Sequence, residues 1–315
     1  MMDVTEVLPP DAIPSVDAPT FGPEYFGEPD DEVIVVEFGG QPRAYPVRIL
    51  HYHEIVNDLL EDRPIAITWC PLCGSAVVYS RRVDGRTLTF GVSGKLADDD
   101  LIMYDRETES EWKQTLGRCI AGPLEGHSLE VLPAAMTTWG AFRAANPDGV
   151  VLQPPGGESE AASDDDTPAI VEYDASPYEA YFEEEGIGLG AHRGTGGRAW
   201  ERTDIEAKAV VLGIEAGDDA LGVPRCAVER RDGVVQVTVG PWDIVVFSTA
   251  DGLHAYDDPG FTFEPVPGGF RGDDTVWDGA TGFADDGRRL DRIPAKRLFA
   301  FAWQDDHGSD AFYGL

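Results

Sequence analysis

The stretch PIAITWCPLCGSAVVYS, residues 64–80, predicts two strands joined by a tight turn. PIAITW (64–69) and AVVYSR (76–81) are apolar and rich in β-branched residues, which favours strands. The turn between them holds Cys70, Cys73 and then a glycine, the residue that most readily takes a positive φ. The sequence therefore predicts a β-hairpin that carries two thiols on one side of its turn.

Short elements are predicted before this hairpin. EVIVVEF (32–38) and RAYPV (43–47) predict a second hairpin with its turn at Gly39-Gly40. ILHYHEIVNDLL (49–60) has apolar residues at helical spacing and predicts a helix. The whole pattern indicates an α+β, β-rich fold in which short helices pack on small antiparallel sheets or barrels.

An internal repeat is the main long-range feature of the sequence. VEFGGQPRAYP (36–46) resembles IEAGDDALGVP (214–224), and GHSLEVLPAAMTTWGAF (126–142) resembles GRRLDRIPAKRLFAFAW (287–303). The matches occur in the same order in both halves of the chain. This order predicts two related lobes that arose by an internal duplication.

The repeat divides the chain into four predicted parts. They are an extended N-terminal arm (1–30), lobe one with the Cys-x-x-Cys turn (31–152), an acidic loop with a tyrosine-rich connector (153–204), and lobe two, a degenerate repeat (205–315). Gly240 and Asp243 of lobe two stand where lobe one has Cys70 and Cys73. Residues that only maintain the fold should recur in both copies, so we expect the chemistry in lobe one.

The charge of the chain restricts its partners. Its 58 acidic and 24 basic residues give a net charge of −34. Too few basic residues remain to cover a phosphate backbone or an anionic lipid surface, so we expect neither nucleic acid nor membrane as a partner. Acidic residues occur along the whole length, with short runs at Asp98–Asp100 and Asp164–Asp166. This composition is typical of proteins from a salt-rich interior such as that of halophilic archaea.

The N-terminal residues and the lengths of the apolar stretches predict where in the cell the protein is found. No stretch of about 18 apolar residues occurs, and the N-terminal residues MMDVTEVLPP lack the basic and apolar regions of a signal peptide. We therefore expect a protein of a high-salt cytoplasm.

The Cys-x-x-Cys pair is the leading candidate site. A cysteine pair at this spacing in a chain of this length indicates metal or redox chemistry. Cys70 and Cys73 would supply two ligands to zinc or another transition metal, and His53, beside Glu54, is the preferred third ligand. His51 is the alternative to His53, and Cys119 is the candidate fourth ligand. Three ligands would leave an open position for catalysis, whereas a fourth would close the site as a structural one.

Two other interpretations of the pair stay open. A thiol oxidoreductase would use it for disulfide exchange, but such pairs usually begin a helix, and GSAVVYS (74–80) predicts a strand. A non-enzymatic binding or scaffold protein would use it only to fix the hairpin. No catalytic residue is assigned, although Ser93, Lys95 and Glu109 are candidates. The residues expected to form the pocket around the site are Trp69, Ser110, Trp112 and Gln114.

An aromatic strip follows the acidic loop. Tyr173, Tyr178, Tyr181 and Phe182 lie within ten residues of one another. We interpret the strip as a device that holds the connector on the body of the protein, with ligand stacking as the alternative.

These motifs together resemble the DUF3179 domain, a prokaryotic family of uncharacterised proteins with many haloarchaeal members. The resemblance rests on HEIVND (53–58), CPLCGSAVVY (70–79), DGRTLTFGVSG (84–94), DLIMYDRETESEW (100–112) and YDASPYEAYF (173–182), and it extends over most of residues 10–310. It implies no established activity. It places the following candidate residues inside family motifs: His53, Cys70, Cys73, Ser93, Glu109, Ser110, Trp112 and Gln114. Trp69 departs from the tyrosine that family members often carry before CPLC.

Overall fold

The structure, a computed structural model, describes residues 2–38, 40–163 and 167–315. Gly39 of the predicted Gly39-Gly40 turn and the acidic run Asp164–Asp166 lie outside the described residues. Strands account for 41% and helices for 12% of the protein. Globular proteins average about 20–25% strand, so the predicted β-rich fold built of small antiparallel sheets is confirmed.

Fifteen strands precede the connector. They are β1 (Val4–Glu6), β2 (Phe21–Gly22), β3 (Glu32–Val36), β4 (Arg43–Pro46), β5 (Ile55–Leu60), β6 (Arg63–Cys70), β7 (Ser75–Ser80), β8 (Arg82–Val83), β9 (Arg86–Thr87), β10 (Phe90–Ala97), β11 (Asp100–Asp105), β12 (Glu111–Lys113), β13 (Arg118–Ala121), β14 (Ala135–Thr138) and β15 (Val150–Leu152).

The other strands lie in the connector and in the second half. They are β16 (Glu158–Ser159), β17 (Ala169–Ile170), β18 (Val210–Ala216), β19 (Asp219–Pro224), β20 (Val234–Val239), β21 (Trp242–Thr249), β22 (Gly252–Asp257), β23 (Glu264–Val266), β24 (Gly269–Gly272), β25 (Thr275–Trp277) and β26 (Lys296–Phe299).

The helices are short. They are α1 (Val47–Leu50), α2 (Trp139–Ala145), α3 (Glu179–Glu183), α4 (Leu189–His192), α5 (Arg225–Glu229) and α6 (Ala300–His307), and Glu160–Ala162 adds one 3₁₀ turn. Among the described residues, none of these helices has the length and apolar character needed to cross a membrane.

A six-stranded sheet joins the two halves of the chain. Its order is β19-β18-β26-β7-β6-β5, with three strands from each half, and the halves meet where Arg297 of β26 pairs with Ala76 of β7. The strands predicted at 64–69 and 76–81 are confirmed as β6 and β7. Cys70 therefore lies at the end of a central strand, next to the junction between the halves.

Smaller sheets flank this central sheet. The first half forms β1-β10-β11-β12-β13 and β14-β3-β4-β15-β2, and the second half forms β20-β21-β22 and β23-β24-β25. The pairing of β3 with β4 confirms the second predicted hairpin. Strand β1, from the N-terminal segment, adds to the edge of β10 and so lies near the site described below.

The prediction of a helix over residues 49–60 was wrong. Helix α1 ends at Leu50, and Ile55–Leu60 forms strand β5, which pairs with β6. Strand β5 is buried on both faces: Ile55 packs into one core, whereas Val56 and Leu60 pack into the core on the other side of the sheet. A strand with apolar residues on both faces can show the same apolar spacing as a helix, and for this reason the pattern predicted a helix here.

The central sheet separates two hydrophobic cores. Trp69 and Ile67 face the core formed with α1 and β14. Cys70 and Ala66 face the other core, which also contains the β10–β13 sheet, the aromatic connector and the start of α6. The alternation of side chains along β6 thus places Cys70 in the core where three parts of the chain meet.

Candidate metal centre

The Cys-x-x-Cys turn connects β6 to β7. Cys70 pairs with Ser75 across the turn, and Gly74 has a φ of 53°, which glycine adopts without strain. Strand β26 of the second half closes the turn, because the Phe299 N–H donates to the Cys73 carbonyl at 2.8 Å and the Phe299 ring lies against Gly74. Both halves of the chain therefore hold the two thiols in place.

A buried cluster of three potential metal ligands forms at this turn. The sulfurs of Cys70 and Cys73 and a carboxylate oxygen of Asp100 all lie within 4.8 Å of one another. All three side chains are buried, at 2%, 0% and 1% exposure respectively. Asp100 reaches the thiols because the chain reverses between β10 and β11 at Asp98 and Asp99, which both adopt positive φ.

The Asp100 carboxylate is only half satisfied. Its Oδ2 accepts hydrogen bonds from the backbone N–H and the hydroxyl of Thr115, both at 2.8 Å. Its Oδ1 is buried and has no hydrogen-bond partner among the described residues. Burial raises the pKa of Asp100 to about 7, the Lys113 ammonium opposes this rise, and the Asp306 carboxylate adds to it. An unpaired buried carboxylate oxygen is costly, and a cation would satisfy it.

Both thiols are free and are held in their neutral form. Burial raises the pKa of Cys70, and the neighbouring Cys73 thiol partly offsets this rise. Burial raises the pKa of Cys73 well above its usual range, and the neighbouring Cys70 and Asp100 add to this rise. The Cys73 thiol donates to the Asp99 carbonyl at 3.6 Å. A carboxylate beside two thiols disfavours thiolates unless a cation joins them.

A buried lysine lies behind the cluster. Lys113 Nζ forms ion pairs with Asp306 at 2.7 Å and with Asp98 at 3.4 Å. Burial lowers the pKa of Lys113, but the Asp306 and Asp100 carboxylates raise it by more, so the ammonium stays charged. Asp306 belongs to α6, so the C-terminal helix supplies a charge that acts on the cluster through Lys113.

A cavity of about 80 Å³ opens beside Cys70. Residues of the N-terminal segment, Glu54, Tyr178 and His192 line it together with Cys70. The cavity is mostly apolar with a few polar groups, as is usual for sites that bind small ligands. Of the three cluster residues, Cys70 is the one that faces this space.

Glu54 is held in an unusual state at the wall of this cavity. Its φ is 55°, in the left-handed region, and its side chain is buried at 7% exposure. Burial raises its pKa to about 8, and the charges of Glu160 and Asp100 add to the rise. No hydrogen bond from a described residue offsets this rise. Strained backbone and unpaired buried polar groups concentrate at functional sites.

The two candidate histidines have other contacts. His53 Nδ1 lies 2.9 Å from the Pro14 carbonyl, and its Nε2 lies 2.7 Å from the Tyr173 hydroxyl. His51 packs against Trp69 and Tyr178, and its buried Nε2 has no partner among the described residues. Within the described residues, the cluster at the turn holds Asp100 and neither histidine. A ligand role for His53 therefore stays a prediction.

Cys119, the alternative fourth ligand, lies on β13 beside Trp112 of β12. Its sulfur lies 3.3 Å from the Ala121 carbonyl, and it is not part of the described cluster. Gln114 supports the turn more directly, because its amide oxygen accepts from the Ser75 hydroxyl at 2.5 Å.

The other predicted residues are mainly structural in their contacts. Ser93 donates to the Ile102 carbonyl at 2.6 Å, Lys95 pairs with Glu111 at 2.6 Å, and Trp112 donates to Asp105 at 3.0 Å.

Two further predicted residues lie near the β11–β12 turn. Glu109 is exposed with a φ of 58°, and Ser110 accepts from the Leu124 N–H. Lys95 also lines the cavity beside Cys70, so it stays a candidate for that site.

The aromatic strip holds the connector on the Cys-x-x-Cys turn. The Tyr181 hydroxyl donates to the Leu72 carbonyl at 2.8 Å and accepts from the Gly188 N–H at 3.1 Å. Tyr178 stacks on His192 with ring centres 4.7 Å apart. The interpretation of the strip as a device that anchors the connector is confirmed for Tyr181.

Sequence reasoning missed Asp100 and Glu54. Asp100 was noted only in the acidic run Asp98–Asp100 and at the start of the motif DLIMYDRETESEW, although it directly precedes the apolar strand LIMYD. Glu54 was noted only as the neighbour of His53. In both cases the position next to buried apolar residues was the available signal.

The fold and the site define a β-rich protein with a buried dithiol–carboxylate cluster beside a small cavity. The family model described as "Protein of unknown function (DUF3179)" matches residues 10–310, and the chain belongs to this family. No curated protein and no solved structure matches the chain.

Proposed function

We propose that this chain binds a transition metal ion through Cys70, Cys73 and Asp100. The observation that carries the proposal is the convergence of two thiols and a half-satisfied carboxylate, all buried and within 4.8 Å of one another. Thiolate and carboxylate ligands suit zinc, which binds sulfur at about 2.3 Å and carboxylate oxygen at about 2.0–2.2 Å. Other thiophilic transition metals fit the same set.

The electrostatics of the cluster favour a cation. Without one, the Asp100 carboxylate disfavours both thiolates, and burial disfavours all three charges. A divalent ion reverses each of these effects, because it attracts every one of the three groups. Lys113 adds a positive charge nearby that offsets the excess negative charge of three anionic ligands.

An enzyme built on this site would work in the cavity beside Cys70. Three protein ligands leave one position open, and a zinc ion with an open position activates water or polarises a carbonyl. Glu54 lines the same cavity and has no hydrogen-bond partner among the described residues, so it is placed to exchange a proton with a molecule held there.

Metal binding is tested by affinity measurements on matched variants. Cys73→Ser and Asp100→Asn should each weaken zinc binding by more than about 100-fold, since even loss of a residue that only orients a ligand costs about 10- to 100-fold. Cys119→Ser, which removes a buried cysteine outside the cluster, should leave the affinity unchanged. Equal affinity in all four proteins would contradict the proposal.

A thiol oxidoreductase is the second candidate function. It rests on the position of Cys70, the one thiol of the pair that lines the cavity, although burial raises the pKa of both thiols and so works against a reactive thiolate. The Cys70 thiolate would attack a substrate disulfide, and Cys73 would then displace the mixed disulfide and release the substrate dithiol. Asp100 would accept the Cys73 proton.

The two candidates differ in a simple measurement. A redox protein forms the Cys70–Cys73 disulfide reversibly in a glutathione buffer and binds zinc weakly in the reduced state. A metal protein resists oxidation once it is loaded with zinc, because both thiolates are engaged. A chain that shows neither behaviour has a purely structural turn, as expected of a scaffold protein.

We also propose that the two halves, 31–152 and 205–315, descend from an internal duplication. The orders β14-β3-β4 and β26-β18-β19 are the same in the two halves. A short helix follows the equivalent strands in each half: α1 follows β4 as α5 follows β19, and α2 follows β14 as α6 follows β26. This parallel supports the proposal and suggests that lobe two became a scaffold for the turn in lobe one.

A further inference from the structure

A second cavity lies between the two halves, on the opposite face of the central sheet. Its volume is about 120 Å³, and β14, the start of β3, β18 and the turn before β22 enclose it. Most of its wall is apolar, including Ile34, Leu212 and Leu253. Arg297 and Arg225 line it as well. Two arginines in one cavity are notable in a chain that has only 24 basic residues.

Arg297 is fixed in this cavity but is not satisfied there. Its Nη1 donates to the Gly74 carbonyl, and its guanidinium lies over the Trp69 and Phe299 rings at 5.6 and 5.3 Å. The nearest acid is Glu32, whose carboxylate is 3.9 Å from Nη2, beyond hydrogen-bond distance. An arginine has five N–H donors, and Nε and Nη2 have no acceptor among the described residues.

The side chain of Arg297 is oriented by these contacts before any ligand arrives. It retains 16% of its surface exposed, whereas Glu32 is 51% exposed and well solvated. Burial lowers the pKa of Arg297, the Glu32 carboxylate opposes this change, and the positive charge of Arg225 adds to it. Arg225 donates to the Thr249 carbonyl at 2.8 Å and pairs with Glu229 at 2.9 Å, so it too is held at the cavity. An anion at Nε and Nη2 of Arg297 would accept from the donors that the Gly74 carbonyl leaves free.

We propose that this cavity binds a small aliphatic carboxylate, with its oxygens on the Nε and Nη2 groups of Arg297. The planar guanidinium fork matches a carboxylate in a bidentate manner. The apolar wall suits a short hydrocarbon chain, and the volume limits the ligand to a few carbon atoms. Glu32 and Asp251 also line the cavity and disfavour a dianion such as phosphate. This site is independent of the metal proposal and lies directly behind the Cys-x-x-Cys turn.

Propionate is the probe, and neutral propionamide is its matched control. Calorimetric titration at constant chloride concentration should show binding of propionate and none of propionamide. Arg297→Lys should weaken propionate binding by about 10-fold, because a lysine loses the fork geometry. Glu32→Gln, at an exposed position, should strengthen it by about 3-fold, because a competing acid is removed.

A second control separates the site from general charge effects. Arg288→Gln removes an exposed arginine that does not line the cavity, and it should leave propionate binding unchanged. If Arg297→Lys does not fold, the Glu32→Gln result still decides, because the Glu32 side chain is half exposed and its replacement should leave the fold intact. Equal binding of propionate and propionamide, or no effect of Glu32→Gln, would overturn the proposal.

Discussion

Replacing Glu54 by glutamine removes an ionisable group from the cavity beside Cys70 and keeps its shape. The pKa of Glu54 is about 8, against 4.5 for an exposed glutamate, because burial disfavours its charge. Each pKa unit corresponds to about 1.4 kcal/mol of folding free energy. Relative to its value at low pH, the folding stability of the metal-free protein is therefore lower by about 3 kcal/mol at pH 7 and by roughly 5 kcal/mol above pH 9.

The sign of the effect follows from the raised pKa. The folded state binds the Glu54 proton more tightly than the unfolded state, so the stabilising contribution is complete below pH 4.5 and is lost as pH rises through about 8. The Glu54→Gln variant has no such loss. The free energy of unfolding of the wild type, measured relative to the variant, should fall by about 3 kcal/mol between pH 4.5 and 7.

Urea unfolding of metal-free wild type and variant, at molar KCl and several pH values, measures this difference. The contribution of Asp100, whose pKa is about 7, is present in both proteins and largely cancels. Glu61→Gln is the matched control, because Glu61 shares the left-handed backbone, with a φ of 53°, but is exposed. Parallel stability curves for wild type and Glu54→Gln across this range would refute the account of a buried, uncompensated carboxylate.

Three further predictions concern the turn, the connector and the surface. Gly74→Ala should destabilise the protein by about 2–4 kcal/mol in urea unfolding, because it adds left-handed strain and a Cβ that would lie 2.5 Å from the Phe299 ring; an effect below about 0.5 kcal/mol would contradict the closed turn. Tyr181→Phe should cost about 1 kcal/mol and speed the labelling of Cys70 by a thiol reagent, and unchanged labelling would exclude a covering role for the connector. Stability should rise with KCl up to molar concentrations because the charge of −34 is screened, and a flat salt dependence would contradict this.

Local pattern was enough to predict the hairpin that carries the site. The β-branched runs on either side of CPLCGS form β6 and β7, and a glycine at position 74 takes the positive φ that the turn requires. The same kind of reasoning failed at residues 49–60, because β5 is buried on both faces and its apolar residues imitate a helix. Periodicity reports which residues are buried, but it cannot report how many sides of an element are covered.

The partners of the thiols depend on pairing between distant segments. Asp100 reaches Cys70 and Cys73 only because β10 and β11 fold back at Asp98 and Asp99. In a chain with 58 acidic residues, composition gives no reason to choose this one. The pairing of β7 with β26, which joins the two halves, also cannot be predicted from the sequence, because pairing between distant strands leaves no local pattern.

The metal content of the protein, purified without chelator at molar KCl and saturated with zinc, tests the central claim most directly. Elemental analysis should find about one equivalent of bound metal in the wild type and in Cys119→Ser. The Asp100→Asn variant should lose that metal on dialysis and free two titratable thiols, Cys70 and Cys73. A metal-free wild type with both thiols reactive, or an Asp100→Asn variant that keeps its metal, would contradict the account.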